Sequence, residues 1–134
     1  MPPRTLPLLG LLAALAAGPA TAATVAVTPG GLDAALASAA PGDTLVLEPG
    51  VHPGPVVVRT PVTLTGRPGA VIDGRGLAST LTIAGTADGT VVSGLEIRNS
   101  GTSLADQHAG IFIDKRADGV RVEGNRLVDN LIGI

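Results

Sequence analysis

The chain has 134 residues, a formal net charge of −2, no cysteine and a single aromatic residue, Phe112. That length holds at most one domain, and the missing cysteines exclude disulfides, thiolate metal sites and a thiol nucleophile. The near-neutral charge gives no basic field for nucleic acid or an anionic membrane, and the lack of aromatics argues for a narrow interior of Val, Ile and Leu rather than a compact globular core.

Met1 to about Ala23 reads as a secretory signal peptide. Arg4 supplies the basic start, and Leu6 to Ala17 is apolar but short for a membrane span. Ala20-Thr21-Ala22 fits the small-residue cleavage rule. Residues 1–23 are therefore expected to be removed, and residues 24–134 exported to a periplasm with no membrane insertion. Thr24-Val25-Ala26-Val27 fits a short strand. Gly31 to Ala40 fits a helix, because Leu32, Ala35, Leu36 and Ala39 recur at helical spacing, Asp33 sits in the first turn and Pro41-Gly42 follows.

Pro41 to Gly50 reads as turn, strand, turn, with Leu45 and Leu47 on one side and Val46 and Glu48 on the other. His52 lies among Pro and Gly and reads as a solvated turn residue. Val56, Val58, Val62, Leu64, Ala70 and Ile72 form an inward set, taken as the first full coil, with Thr63, Thr65 and Asp73 facing out. From Thr80 onward the pattern repeats. Leu81 maps to Ile111, Asp88 to Asp118, Gly94 to Gly124 and Ile97 to Leu127, each 30 residues on. Upstream, Val56-Val57-Val58 precedes Leu81-Thr82-Ile83 by 25, and Ala70-Val71-Ile72 precedes Leu95-Glu96-Ile97 by 25. Downstream, Gly133-Ile134 restarts the Gly110-Ile111 phrase after 23.

Short strands punctuated by Gly and Asn at this period are the mark of a β-solenoid, all-β in class. The helix at Gly31–Ala40 suits a cap over its first coil, since an uncapped coil leaves apolar side chains and strand edges open. The five extra residues of the last repeat fall between Asn99 and Gly110. Such insertions in repeat proteins mark loops, often on the binding face. Asn125 replaces Leu95 at an inward position, so its amide needs partners, most simply on the neighbouring coil. The chain stops at Ile134 in mid-phrase with no capping sequence, which reads as the N-terminal part of a longer, C-terminally truncated protein.

Pro41-Gly42-Asp43-Thr44-Leu45-Val46-Leu47-Glu48-Pro49-Gly50 followed by Val62-Thr63-Leu64-Thr65-Gly66 resembles the opening of right-handed parallel β-helix proteins of the pectate-lyase-like class. More narrowly, two stretches resemble the NosD family. One runs from Gly94 through the Ser100-Gly101-Thr102-Ser103-Leu104 loop to Ala109-Gly110-Ile111-Phe112-Ile113, the other from Asn125 to Ile134. These are periplasmic maturation proteins for the copper enzyme nitrous oxide reductase. The resemblance implies a non-catalytic partner of nitrous oxide reductase and of an ABC-type ATPase and permease, used in assembling the copper–sulfur centre.

Copper sites want His, Met or Cys. Beyond Met1 the chain offers only His52 and His108. His108, in the lengthened turn beside Asp106, is the stronger metal candidate, with Asp106 as its companion and Asp114 nearby in sequence. No cofactor follows from these residues, and a surface histidine is the plainer reading. Phe112 is expected to face outward in register with Thr82, where it and Asp114 are candidates for contact with a partner. The alternative function is a polysaccharide lyase, hydrolase or epimerase. Asp106, His108, Asp114, Lys115 and Arg116 supply the residue types, but no carboxylate pair recurs in adjacent coils. Asp88 and Asp118 do match, each before a Gly, where Asp is favoured for turn hydrogen bonding.

Overall fold

A computed structural model describes residues 21–134. The expected signal peptide lies outside the described residues, save its last few positions. From there the chain forms β1 (Thr24–Val27), the helix α1 (Leu32–Ser38), β2 (Thr44–Leu47), β3 (Gly50–Pro53), β4 (Val56–Val58), β5 (Thr63–Gly66) and β6 (Ala70–Asp73). β7 (Leu81–Ile83), β8 (Val91–Ser93), β9 (Glu96–Arg98), β10 (Ile111–Ile113), β11 (Arg121–Glu123) and β12 (Arg126–Val128) follow.

Each strand pairs in parallel with the strand one coil away. Three sheets result, in the orders β1-β2-β5-β8-β11, β4-β7-β10 and β3-β6-β9-β12. The fold is a parallel β-helix. Strands of three or four residues are too short to hold one face against water alone, so each side chain is buried by its equivalents above and below. The interior is therefore a set of columns. Leu45, Leu64, Val92 and Val122 stand in one, and Val56, Leu81 and Ile111 in another. β-branched and Leu side chains fill such columns at the spacing of adjacent strands, about 4.8 Å, which is why the fold manages without aromatics.

Register corrects the reading of the first coil. His52 is not a solvated turn residue: it is fully buried. Gly50–Pro53 is a strand, and His52 heads the column His52, Ile72, Ile97, Leu127. The Pro and Gly residues around it suggested a turn. A terminal strand of a sheet tolerates Pro53, because only one of its edges must be paired. Its Nε2–H donates to the Glu48 carbonyl at 2.8 Å, while Nδ1 has no partner. The first full coil is thus β2, β3 and β4, beginning two strands earlier than expected.

The turns change length while the strands hold register. Val56 pairs with Leu81 and Val71 with Glu96, each 25 on, but Thr63 pairs with Val91, 28 on. The turn after β7 gains three residues and the turn after β8 loses three. The next coil then repeats at 30 throughout, the gain lying between β9 and β10 as expected. The restart at Gly133 is also present: Gly110 donates to Ile132 and Ile111 to Gly133.

α1 begins at Leu32, which is buried, and packs half-buried Ala35 and Leu36 on the same core. It ends at Ser38, short of the expected Ala40, and Ala39 is already extended. Ala40 precedes Pro41, which disfavours helical backbone there. Asp43 pins this end together. Its Oδ1 accepts the Ala23 N–H and its Oδ2 the Ala40 N–H, both at 2.9 Å. Those two amides, Ala23 first, hold the Asp43 carboxyl below its ordinary value against the opposing effect of burial.

The later coils are stitched by two asparagines. Asn125 Oδ1 accepts the Leu95 N–H at 3.1 Å and its Nδ2 donates to the Val92 carbonyl at 2.9 Å. Asn130 repeats the grip on the Ser100 N–H and the Ile97 carbonyl, at 3.1 and 3.0 Å. On the outer face, Arg98 reaches Asp73 and Glu96, each at 3.3 Å. Burial would raise the Asp73 carboxyl, but the Arg75 N–H, the Asn99 amide and Arg98 together hold it low.

Two outcomes are expected. Asn125→Ala strands the Leu95 N–H and the Val92 carbonyl and should cost about 1–3 kcal/mol in chemical denaturation. Asp43→Asn replaces one acceptor oxygen by a donor and should lower the melting temperature at neutral pH. A carboxyl depressed by folding stabilises fully above the ordinary aspartate value of 3.8 and loses that contribution as pH falls below it. The gap between Asp43→Asn and the parent chain should therefore shrink in melts taken at progressively lower pH in that range.

Candidate functional site

The lengthened turn departs from β9 through Asn99, whose backbone is left-handed at φ 57°. Asn tolerates that region better than most residues. The base of the turn is pinned to the coil before it: Gly101 donates to the Ala78 carbonyl at 2.7 Å and Ala109 to Ser79 Oγ at 3.0 Å. It is also pinned to the segment after it, where Leu131 donates to Ser100 Oγ at 2.9 Å. Between these clamps, residues 102–107 stand proud, with Leu104 70 % exposed.

Ser103 is the hub of that projecting part. Its hydroxyl donates to Asp106 Oδ2 at 2.7 Å and accepts the Asp106 N–H at 3.2 Å. Its N–H donates to His108 Nδ1 at 3.2 Å, and its carbonyl accepts the His108 N–H at 3.0 Å. Every polar group of Ser103 is used, and the two metal candidates, Asp106 and His108, are brought onto one residue. The spacing Ser103-Leu104-Ala105-Asp106 is the kind in which a hydroxyl and a carboxylate close a turn reciprocally. That signal was available in the sequence and was missed, as was Gln107, whose left-handed φ of 56° closes the loop.

This arrangement does not fit copper. A backbone N–H can only donate, so Nδ1 of His108 accepts and the neutral ring carries its proton on Nε2. Ligating histidines do the reverse, binding metal through one nitrogen while the other donates to an oxygen. Asp106 is committed to Ser103, and His52 is sealed in the interior. Among the described residues no three His, Cys, Asp or Glu side chains gather as a metal site requires.

Phe112 stands where the alternation put it, paired with Thr82 and, one coil further, aligned with Val57 on the outer face of β4-β7-β10. It is half-buried. With Gln107 it borders two open concavities of about 330 and 590 Å³. The first continues over Ile132 and Ile134, the second over Asp114, Lys115 and Arg116. Asp114 is held by Arg116 through two side-chain bonds, at 2.9 and 2.8 Å, and accepts the Arg116 N–H at 2.9 Å. The Arg116 guanidinium keeps this carboxyl far below the usual range. Gly85 makes room for the pair, since a Cβ there would lie 2.9 Å from Arg116 Nε. Asp106 and Asp114 sit on opposite sides of β10, each satisfied locally, and do not form a carboxylate pair. Asp88 serves coil stacking, its Oδ1 accepting the Asp118 N–H at 2.8 Å.

No family model matches the chain, and no solved structure matches it. A curated protein does. Over 81 residues the chain is 38% identical to the "Probable ABC transporter binding protein NosD" of Pseudomonas aeruginosa. The match takes in 60% of this chain and 18% of that protein, so the two share only a part of the longer one. The chain is similar to NosD over that part. Among the described residues, no helix is long and apolar enough to cross a membrane.

Removing the guanidinium should release Asp114. In Arg116→Ala the Asp114 carboxyl should titrate closer to the ordinary aspartate value, followed by carboxyl carbon shifts in NMR. An unchanged titration would mean that Arg116 is not what depresses it.

Proposed function

We propose that this chain acts as a NosD-like accessory protein. It is exported to the periplasm after loss of residues 1–23, engages an ABC-type ATPase and permease, and assists assembly of the copper–sulfur centre of nitrous oxide reductase. The observation that carries the reading is the 38% identity to a protein named as an ABC transporter binding protein. The site supports a recognition role over a catalytic one. Asp106, Asp114 and His108 each make local bonds, through Oδ2, through both carboxylate oxygens and through Nδ1, while Phe112 and the projecting loop offer apolar surface and shape. The partner would meet the outer face around Phe112, with Asp114 and its Arg116 partner at the margin. Copper in this reading is cargo of the assembly pathway and not a resident ion of these coils.

The test is a strain lacking the gene, from which nitrous oxide reductase is purified and its copper content and visible spectrum recorded. Loss of the copper–sulfur centre, with the electron-transfer copper retained and the protein folded, is the expected outcome. A fully loaded enzyme would overturn the maturation role and redirect the search to polysaccharide substrates.

A further inference from the structure

The bond from the Ser103 N–H to His108 Nδ1 has a chemical requirement: it exists only while Nδ1 keeps its lone pair. The imidazole lies against Gly101, where a Cβ would overlap Nδ1 and come within 2.7 Å of Cε1. Glycine there lets the ring sit on the backbone and reach Ser103. The ring is half-buried, so solvent protons reach it.

We propose that His108 is a proton-operated latch on the lengthened loop. With the ring neutral, Nδ1 ties down Ser103, and Ser103 in turn orders Asp106. A proton on Nδ1 replaces the lone pair with a second N–H and sets two donors against each other. The latch then opens and the Ser103 N–H is released, loosening the projecting part of the loop, while the backbone bond from the His108 N–H to the Ser103 carbonyl and the anchors at Gly101 and Ala109 remain.

The surrounding charges leave His108 in control. The loop itself carries only Asp106, held by Ser103. The segment beneath, residues 74–80, contributes Arg75, whose Nε donates to the Gly54 carbonyl at 2.6 Å. β9 ends in Arg98, engaged by Asp73 and Glu96. Past β10, Asp114 is paired to Arg116. The segment over the loop, residues 129–134, contributes Asp129 alone. Imidazole is the side chain that changes charge between pH 8 and about 5. This inference is independent of the proposed function.

The experiment is amide hydrogen exchange by NMR on the full ¹⁵N-labelled chain from pH 8 to 5, corrected for intrinsic rates. Protection of the Ser103 amide should fall by about five- to tenfold, the loss of one hydrogen bond, while the Gly101 amide stays protected as an internal reference. His108→Asn puts a non-titrating oxygen where Nδ1 stands and should keep Ser103 protected throughout. Asp106→Asn should retain the pH dependence. No change at Ser103 in the parent chain would overturn the latch. So would the same change in His108→Asn, or its disappearance in Asp106→Asn alone.

Discussion

Every part of this structure depends on strand pairing between successive coils. No coil is stable by itself. Its strands are three or four residues long, and the entropy of ordering a coil exceeds what its few apolar side chains return. The hydrogen-bonded ladder to the next coil supplies both the backbone partners and the apolar neighbours at once. This is why Asn125 and Asn130 matter beyond their number: each reaches back to one N–H and one carbonyl that a turn would otherwise leave open. At the other end, where the helix rather than a coil closes the core, Asp43 accepts two such N–H groups, those of Ala23 and Ala40.

The same dependence decides what can be read from the sequence. Between the last two coils the repeat is 30 at every strand, so the columns and the outward face of Phe112 were legible by counting. Upstream the repeat falls to 25 or 28 and then to 20, as between Val51 and Val71. No single period aligns those coils, and β3 was lost among its flanking Pro and Gly. His52 could not be recognised as a core residue without the column that contains Ile72 and Ile97. Of the candidate site, the position of the long loop was legible because a constant ladder makes any insertion visible. The Ser103–Asp106 turn was legible from its spacing, but the return of His108 onto Ser103 was not, because it follows a left-handed residue, Gln107, that has no strong preference for that backbone.

Strand pairing also separates the parts that can vary from those that cannot. A substitution in a column is felt by two coils, whereas a turn can gain or lose three to five residues with the register intact. Chemistry specific to this protein is therefore confined to the turns and the outward rows. In those places the ionisable groups are largely spent on local order: Asp114 on Arg116, Asp106 on Ser103, Asp88 on the next coil. Asp114, engaged in this way by Arg116, is a poor general base, since its proton affinity is lowered by the bonds that hold it.

The two histidines show how far the neighbours, rather than the residue type, decide a role. Both carry their proton on Nε2 in the neutral form, for opposite reasons. At His52 a carbonyl demands a donor, and the ring is sealed in a column where its other nitrogen meets nothing. At His108 an amide demands an acceptor, and the ring stands where protons and partners can reach it. A metal approaching His108 at Nε2 would have to drive the proton to Nδ1 and break the bond to Ser103, so metal binding and loop order are mutually exclusive in this geometry. Its place in the lengthened turn beside Asp106 made His108 a ligand candidate. Its hydrogen-bond partner, a donor where a ligand needs an acceptor, makes it a structural element of the loop instead.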